Sequence, residues 1–149
     1  MCSYCGCESV EVIGRFMREH TEIVNASGAL HAACRDGDPQ ALHAAADRVR
    51  ALFGPHSVAE EAGIFTVLAE DPDFTEHVHQ LCREHVRLEE LLDGVVTAPD
   101  PAAREAAWAA YEHLLRHHID REDNSLFPAA AIAFAGPEWE RVTALTPDA

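Results

Sequence analysis

Lysine is absent from the sequence of 149 residues, and its eleven basic residues are all arginine. Twenty-six acidic residues outnumber them and give a formal net charge of −15 at pH 7. A nucleic-acid-binding surface needs clustered basic residues that displace the counterions of the phosphates. The same charge argument disfavours binding to an anionic membrane surface. The composition therefore predicts neither a nucleic-acid partner nor a membrane partner.

Long hydrophobic runs are also absent. The most apolar stretch, residues 128–135, is short and rich in alanine, whereas a membrane-spanning helix needs about 18–20 apolar residues. The start of the sequence has neither the basic residues nor the apolar segment of a secretory signal peptide. We therefore expect no transmembrane segment and a cytoplasmic protein.

Cysteines number only five, and an odd number does not suit a disulfide framework. Cys34 and Cys82 fall in segments with helical periodicity, which indicates thiols in a reducing compartment. Cys2, Cys5 and Cys7 form a CxxCxC cluster near the N-terminus. Three thiols alone do not complete a tetrahedral metal site, so the sequence leaves the role of this cluster open.

Apolar residues recur at helical spacing through four long segments, and almost no segment alternates as a strand would. The segments cover about residues 9–34, 39–68, 73–95 and 101–128. Asp38–Pro39 and Asp100–Pro101 each supply an N-cap followed by proline at the first helical position. Gly37 and Pro128 are predicted helix ends, and Pro55 predicts a kink in the second helix.

Short connections between these segments predict an all-α fold, an antiparallel up-down-up-down four-helix bundle. The predicted domain covers residues 9–128. It follows a cysteine-rich N-terminal tail at 1–8 and precedes a C-terminal tail at 129–149. Within the C-terminal tail, a short helix is predicted at about residues 137–145.

The sequence also contains an internal repeat. The tripeptide Arg-Glu-His occurs at residues 18–20 and again at 83–85. His56 and Glu60 are matched, 62 positions later, by His118 and Glu122. The chain thus has the pattern of two copies of a helix pair, in which the first helix supplies a histidine and the second a His-x-x-x-Glu.

These histidines and glutamates lie on helix faces that are otherwise apolar. A His and a Glu four residues apart share one face, about 6 Å apart along the axis. A bundle brings four such faces together, where an unpaired buried carboxylate is strongly unfavourable unless cations neutralise it. The predicted metal ligands are His20, His56, Glu60, His85, His118 and Glu122, a nitrogen and oxygen set that suits iron, manganese or zinc.

In this pattern the sequence resembles the hemerythrin-like family, the hemerythrin HHE cation-binding domains. The resemblance covers about residues 13–128 and rests on His20, His56-Ser-Val-Ala-Glu60, His85 and His118-Ile-Asp-Arg-Glu122. The flanking segments Glu61-Ala-Gly-Ile-Phe65 and Asp123-Asn-Ser-Leu-Phe127-Pro128 are also similar to that family.

The resemblance implies a non-haem di-iron centre that binds O2, NO or peroxide. By this resemblance, His20 and His56 are expected to hold one iron ion, and His85 and His118 the other. Glu60 is expected to bridge the two ions together with Glu122 and an oxo or hydroxo group.

One position departs from the animal oxygen-carrying hemerythrins, which have two histidines four residues apart on the third helix. The positions four residues from His85 are Leu81 and Glu89. One imidazole is therefore missing, and either a metal position is open or Glu89 fills it. The departure favours turnover or sensing of peroxide or O2 over simple reversible O2 carriage. Tyr111 and His117 stay open as extra ligands.

Three functions stay open at this point. The first is a di-iron protein with catalase-like or peroxidase-like turnover and an unidentified redox partner. The second is an iron or oxygen sensor, and the third is a metal-stabilised interaction module that holds iron or zinc without turnover. A ferritin-type bundle is disfavoured because it needs Glu-x-x-His on two helices, and only Glu76 with His79 has that spacing.

Overall fold

The computed structural model describes residues 10–149, and within that range every regular element is a helix. The all-α fold class is therefore confirmed. The helices are α1 (Glu11–Asp36), α2 (Pro39–Glu60, continued by a π-helical turn Glu61–Phe65 and a last turn Thr66–Leu68), α3 (Pro72–Thr97), α4 (Pro101–Arg121, continued by a π-helical turn Glu122–Leu126 and by Phe127–Ala133) and α5 (Gly136–Leu145). The cluster of Cys2, Cys5 and Cys7 lies outside the described residues.

Three helices begin at an aspartate followed by proline. The side chain of Asp38 accepts a hydrogen bond from Gln40 N at 2.9 Å, and Asp100 accepts one from Ala103 N at 2.8 Å. These bonds satisfy helix-terminal amides that have no partner inside the helix. Helix α3 uses the same device with Asp71 as its cap. It therefore begins at Pro72, one residue earlier than the sequence indicates.

The predicted end of the fourth helix at Pro128 is wrong, because α4 continues to Ala133. Pro128 lies two residues after the end of the π-helical turn Glu122–Leu126. The wider π turn shifts the hydrogen-bond register, so the missing amide and the proline ring are accommodated there. The predicted end of α1 is confirmed, because Gly37 follows its last residue and adopts the left-handed conformation with φ 73°.

The long helices pack in sequence as neighbours. α1 packs mainly on α2, and α3 mainly on α4. Arg50 of α2 donates to Asp93 of α3 at 2.8 Å, and Ser27 of α1 shares a 2.9 Å hydrogen bond with Tyr111 of α4. These elements form a helical bundle. The alternation of helix direction stays a prediction, which these pairings favour.

Two apolar cores occupy opposite ends of the bundle. One is built around Ile13, Phe16, Phe65, Leu81 and Phe127, and α5 covers it with the buried Val142. The other is built around Ile23, Leu30, Val49, Leu92 and Leu115. Each long helix carries one of the four predicted histidine ligands, and each of these histidines lies between the two cores. The two cores therefore enclose a polar layer in the middle of the bundle.

Helix α5 lies against the π-helical turn of α2 at a glycine. A Cβ atom at Gly63 would lie 2.0 Å from Thr146 Oγ1 and 3.2 Å from Thr146 Cβ. The side chain of Thr146 is itself bonded to Val142 O at 2.7 Å. Only glycine therefore lets the C-terminal segment pack this closely on α2.

The Gly63→Ala variant should lose about 1–3 kcal/mol of unfolding free energy, because the added methyl group displaces Thr146 and its neighbours. The matched control is Gly28→Ala in α1, where an added Cβ meets no atom within 4 Å. That control should gain about 0.5–1 kcal/mol from the higher helix propensity of alanine. Urea unfolding of both variants measures the difference, and equal stabilities would contradict the packing argument.

None of the helices in the described residues is both long enough and apolar enough to cross a membrane.

Candidate metal centre

Six side chains from the four long helices meet in the polar layer between the two cores. α1 and α3 each supply one histidine, and α2 and α4 each supply a histidine and a glutamate four residues later. All six are buried, with exposed fractions between 0 and 4%: His20, His56, Glu60, His85, His118 and Glu122. The structure thus brings every main candidate ligand of the sequence together.

The first group consists of His20, His56 and one oxygen of each glutamate. His56 Nε2 lies 3.2 Å and His20 Nε2 lies 3.6 Å from Glu60 Oε1. His20 Nε2 also lies 3.1 Å from Glu122 Oε2. One atom from each of these four residues lies within 4.8 Å of the others, so the group could hold a metal ion.

The second group uses the other oxygens of the same glutamates. His85 Nε2 lies 3.3 Å from Glu60 Oε2 and 3.9 Å from Glu122 Oε1. His118 Nε2 lies 3.1 Å from Glu122 Oε1. These four residues form the second group that could hold a metal ion. Glu60 and Glu122 therefore each direct one oxygen to each group, which is the arrangement of bridging carboxylates.

Seven of the eight polar atoms that face this centre have no hydrogen-bond partner. The buried atoms without a partner include both carboxylate oxygens of Glu60, both of Glu122, and the Nε2 atoms of His20, His85 and His118. Buried polar groups in folded proteins are otherwise paired, and unpaired buried charges are strongly unfavourable. A donor set of imidazole nitrogens and carboxylate oxygens fits divalent or trivalent transition metals. The residues present therefore fit the binding of metal ions here.

Each of the four imidazoles is held from behind by a second carboxylate. His20 Nδ1 lies 2.9 Å from Asp123 Oδ1, and His56 Nδ1 lies 2.8 Å from Glu19 Oε2. A carboxylate accepts the hydrogen bond, so Nδ1 donates and the Nε2 lone pair points to the centre. In the second group the same bonds join His85 to Glu61 at 2.7 Å and His118 to Glu84 at 3.0 Å.

Two of these outer carboxylates also contact an arginine. Arg15 Nε donates to Glu19 Oε1 at 2.7 Å, and Arg121 pairs with Glu84. Each half of the centre therefore contains one arginine–carboxylate–imidazole chain. The guanidinium charge holds the carboxylate in place and offsets part of its negative charge.

Electrostatics in the metal-free centre favour charged imidazoles and charged carboxylates. Burial by itself lowers the pKa of His85, but its interactions with the carboxylates of Glu60 and Glu61 outweigh burial and raise the pKa to about 10. The pKa of His20 is likewise raised well above its usual value despite burial. Burial and Glu60 repulsion raise the pKa of Glu122, yet His118 and His20 lower it to about 2. Without bound cations, the charged forms of His20, His85 and Glu122 are therefore favoured.

A π-helical turn lies next to each of the two inward-facing glutamates. Glu61–Phe65 follows Glu60 in α2, and Glu122–Leu126 begins with the second glutamate in α4. Such turns widen the helix and frequently occur at functional sites. Both turns also carry the carboxylate that follows the glutamate, Glu61 or Asp123, which contacts a histidine of another helix. At each turn, one acidic side chain therefore faces the centre, and the next one in sequence contacts a histidine from its outer side.

The additional candidates lie away from the two groups. Glu89 is exposed on α3, and His117 is exposed on α4. Tyr111 is buried, but its hydroxyl group is bonded to Ser27 Oγ at 2.9 Å. None of these three residues belongs to either group of possible metal ligands in the described part of the chain. The structure thus gives no support to Glu89 as a substitute for the missing histidine.

Sequence reasoning missed the outer carboxylates Glu19, Glu61, Glu84 and Asp123. Two of them had a signal in the internal repeat, since Glu19 and Glu84 are the central residues of the two Arg-Glu-His tripeptides. Each of these glutamates contacts the histidine of the following helix rather than its own neighbour in sequence. Only a three-dimensional arrangement shows this crossed pairing.

The Asp123→Asn variant is expected to bind metal about 10–100-fold more weakly, because the amide keeps the hydrogen bond to His20 but loses the charge that makes the imidazole a better donor. Asp120→Asn is the matched control, since Asp120 is exposed one turn away on the same helix. Competition with a chelator of known affinity measures both. Equal affinities of the two variants would show that the outer carboxylate does not act on the centre.

The comparisons with known proteins give one match. The family model described as hemerythrin HHE cation binding domain matches residues 11–130. No curated protein and no solved structure matches the chain. The matched region contains all six inward-facing residues and the four outer carboxylates. With most of its length covered by this model and the expected residues gathered in one centre, the chain belongs to the hemerythrin HHE cation-binding domain family.

Proposed function

We propose that this protein is a di-iron protein that binds or turns over a small oxygen or nitrogen species such as O2, peroxide or NO. The observation that carries the proposal is the set of seven buried and unpartnered atoms that face one centre from four helices. The same donor set also suits manganese or zinc, so iron is chosen on the family membership.

The residues of the chain have distinct tasks in this proposal. His20 and His56 hold one ion, and His85 and His118 hold the other. Glu60 and Glu122 bridge the two ions, as the division of their oxygens between the groups supports. Two imidazoles and two carboxylate oxygens for each ion leave coordination positions for an external molecule.

Iron, when bound, supplies one-electron redox chemistry and Lewis acidity that no side chain provides. The protein contributes position and exclusion of water. Its outer carboxylates keep the Nε2 lone pairs of the four histidines directed inward. The two apolar cores keep bulk water away from both ends of the centre.

A reducing cytoplasm is the compartment that suits this proposal. Cys34 and Cys82 are free thiols in the structure. Burial, helped by the nearby carboxylates Glu61 and Glu60, raises the pKa of Cys82 to about 11, so this thiol stays protonated and unreactive at neutral pH.

Metal analysis of the aerobically purified protein tests the proposal directly. We expect about two iron ions per chain and charge-transfer absorption in the near ultraviolet that changes when peroxide is added. Iron that is bound without any response to peroxide, O2 or NO would favour a metal-stabilised interaction module instead. Protein that is fully helical and free of iron after expression in iron-replete cells would contradict the proposal.

A further inference from the structure

Four phenylalanines contact the imidazoles of the centre. Phe127 stacks on His20 at 6.0 Å between ring centroids, and Phe16 meets His56 edge-on at 5.6 Å. On the other side, Phe65 stacks on His85 at 5.8 Å and Phe53 meets the same ring edge-on at 5.7 Å. These rings form the apolar wall between the centre and its surroundings.

Phe53 differs from the other three phenylalanines in what lies behind it. Phe16, Phe65 and Phe127 belong to the core that α5 covers, and at most 1% of each is exposed. Phe53 lines a cavity of about 250 Å³ between α2 and α3. The cavity is open to solvent at Glu89 and Asp93, which are both exposed. The ring of Phe53 therefore borders this cavity and also contacts His85.

The size of the cavity suits small molecules. A water molecule takes about 30 Å³ in the liquid, so the cavity has room for several molecules of that size. Leu92 and Phe53 make part of its wall apolar, while Gly54 leaves space beside the ring because it has no side chain. An added Cβ at Gly54 would meet no atom within 4 Å.

The charge at the cavity rim disfavours anions. Arg50 donates to Asp47 at 2.9 Å and to Asp93 at 2.8 Å, so two carboxylates balance its charge. Glu89 adds a further negative charge at the same rim. An approaching anion therefore meets net repulsion, whereas an uncharged molecule does not.

We propose that this cavity is the entry route by which a small uncharged molecule (dioxygen, nitric oxide or hydrogen peroxide) reaches the His85 side of the centre, and that Phe53 sets the size limit. The inference rests on the proposed function, because it assumes a centre that accepts such molecules. It goes further by assigning a route and a selecting residue. The proposal also gives Glu89 a role, because its exposed side chain leaves the mouth of the cavity open.

The first test measures access without iron. Dissolved dioxygen is paramagnetic and accelerates the nuclear relaxation of protons that it approaches. In zinc-loaded or metal-free protein, the ring protons of His85 should show at least about twofold more oxygen-induced relaxation than those of His20, because Phe53 of the cavity wall contacts His85, whereas His20 contacts Phe127 of the other core. Equal effects on the two histidines would overturn the proposal.

Two substitutions with opposite effects sharpen this test. Gly54→Leu fills the cavity mouth and should reduce the oxygen effect at His85 by about half or more. Gly28→Leu places the same side chain in α1, where an added Cβ also meets no atom, and should leave the effect unchanged. Phe53→Ala should increase the oxygen effect at His85. Its control is Phe65→Ala, which removes a ring from His85 without opening the cavity. A Gly54→Leu result equal to wild type would overturn the proposal.

The second test uses the iron-loaded protein and hydrogen peroxide. Gly54→Leu should slow the second-order absorbance change roughly fivefold, and Phe53→Ala should admit tert-butyl hydroperoxide, which the wild type excludes. If the wild-type iron protein responds to none of peroxide, O2 and NO, the proposed function fails while the relaxation experiment still decides the route. If the wild type responds but Gly54→Leu does not slow it, the route is wrong and the function stands.

Discussion

The Glu60→Gln variant is expected to purify with less than about 0.2 metal ions per chain, compared with about two for the wild type. Glu60 directs one oxygen to each group of histidines, so its loss would remove a ligand from both proposed metal positions at once. The amide of glutamine has a similar shape but no charge, and one of its two donor atoms is an NH2 group that does not bind cations. Elemental analysis after gel filtration measures the change.

The same variant separates metal binding from folding. Metal that binds only the native state stabilises it by about 4 kcal/mol for each bound ion when its free concentration is a thousand times the dissociation constant. The difference in unfolding free energy between metal-loaded and chelated protein should therefore be about 8 kcal/mol for a wild type with two ions and near zero for Glu60→Gln. Because each protein is compared with its own chelated form, any loss of packing caused by the substitution cancels.

Glu89→Gln is the matched control for this prediction. Glu89 is the other glutamate considered as a ligand, but it is exposed and lies outside both groups of possible ligands. Glu89→Gln should keep the full metal content and the full stabilisation by metal. Retention of metal by Glu60→Gln, or its loss in Glu89→Gln, would refute the assignment of the bridging residues.

The sequence predicts the fold and the inner ligands well because both follow from short-range rules. Helical periodicity and aspartate–proline caps locate the helices to within a few residues, as Asp38 and Asp100 illustrate. A His-x-x-x-Glu on an apolar face fixes two ligands on one side of a helix. Since four such faces converge in any bundle, the inner residues were predictable without knowledge of the packing.

The outer layer was not predictable in the same way, because it depends on contacts between helices. Glu19 lies next to His20 in sequence, yet it contacts His56 of α2. The continuation of α4 beyond Pro128 was missed because it depends on the preceding π turn, for which single-sequence patterns give no signal. The cavity beside Phe53 likewise depends on the spacing between α2 and α3.

Metal-free protein is expected to lose stability as the pH rises from about 6.5 towards 10. The pKa values of His20, His56 and His85 are raised in the folded state, that of His85 to about 10, because attraction by the buried carboxylates outweighs burial. A raised pKa contributes stability that is complete below the unfolded value and disappears as the pH passes the folded value. Calorimetry of chelated protein at a series of pH values measures this fall.

The carboxylates limit the stability of the metal-free protein at acidic pH. The pKa of Glu60 lies well below its usual value and that of Glu122 is lowered to about 2, because the imidazoles outweigh the burial that would raise both. Their contribution is therefore complete above about pH 4.5 and disappears as the pH falls towards 2. Metal-free protein should be most stable between about pH 4.5 and 6.5.

Metal-loaded protein should show the opposite trend above pH 6.5, because cations bind the deprotonated imidazoles and binding must displace protons. The stabilisation by metal should grow as the pH rises, while the metal-free protein weakens. His85→Gln should flatten the alkaline fall of the chelated protein, since it removes the group whose pKa is about 10. His79→Gln, at an exposed position of α3, should leave the curve unchanged. A stabilisation by metal that stays constant from about pH 5.5 to 8.5 would show that protons and cations do not compete for these histidines.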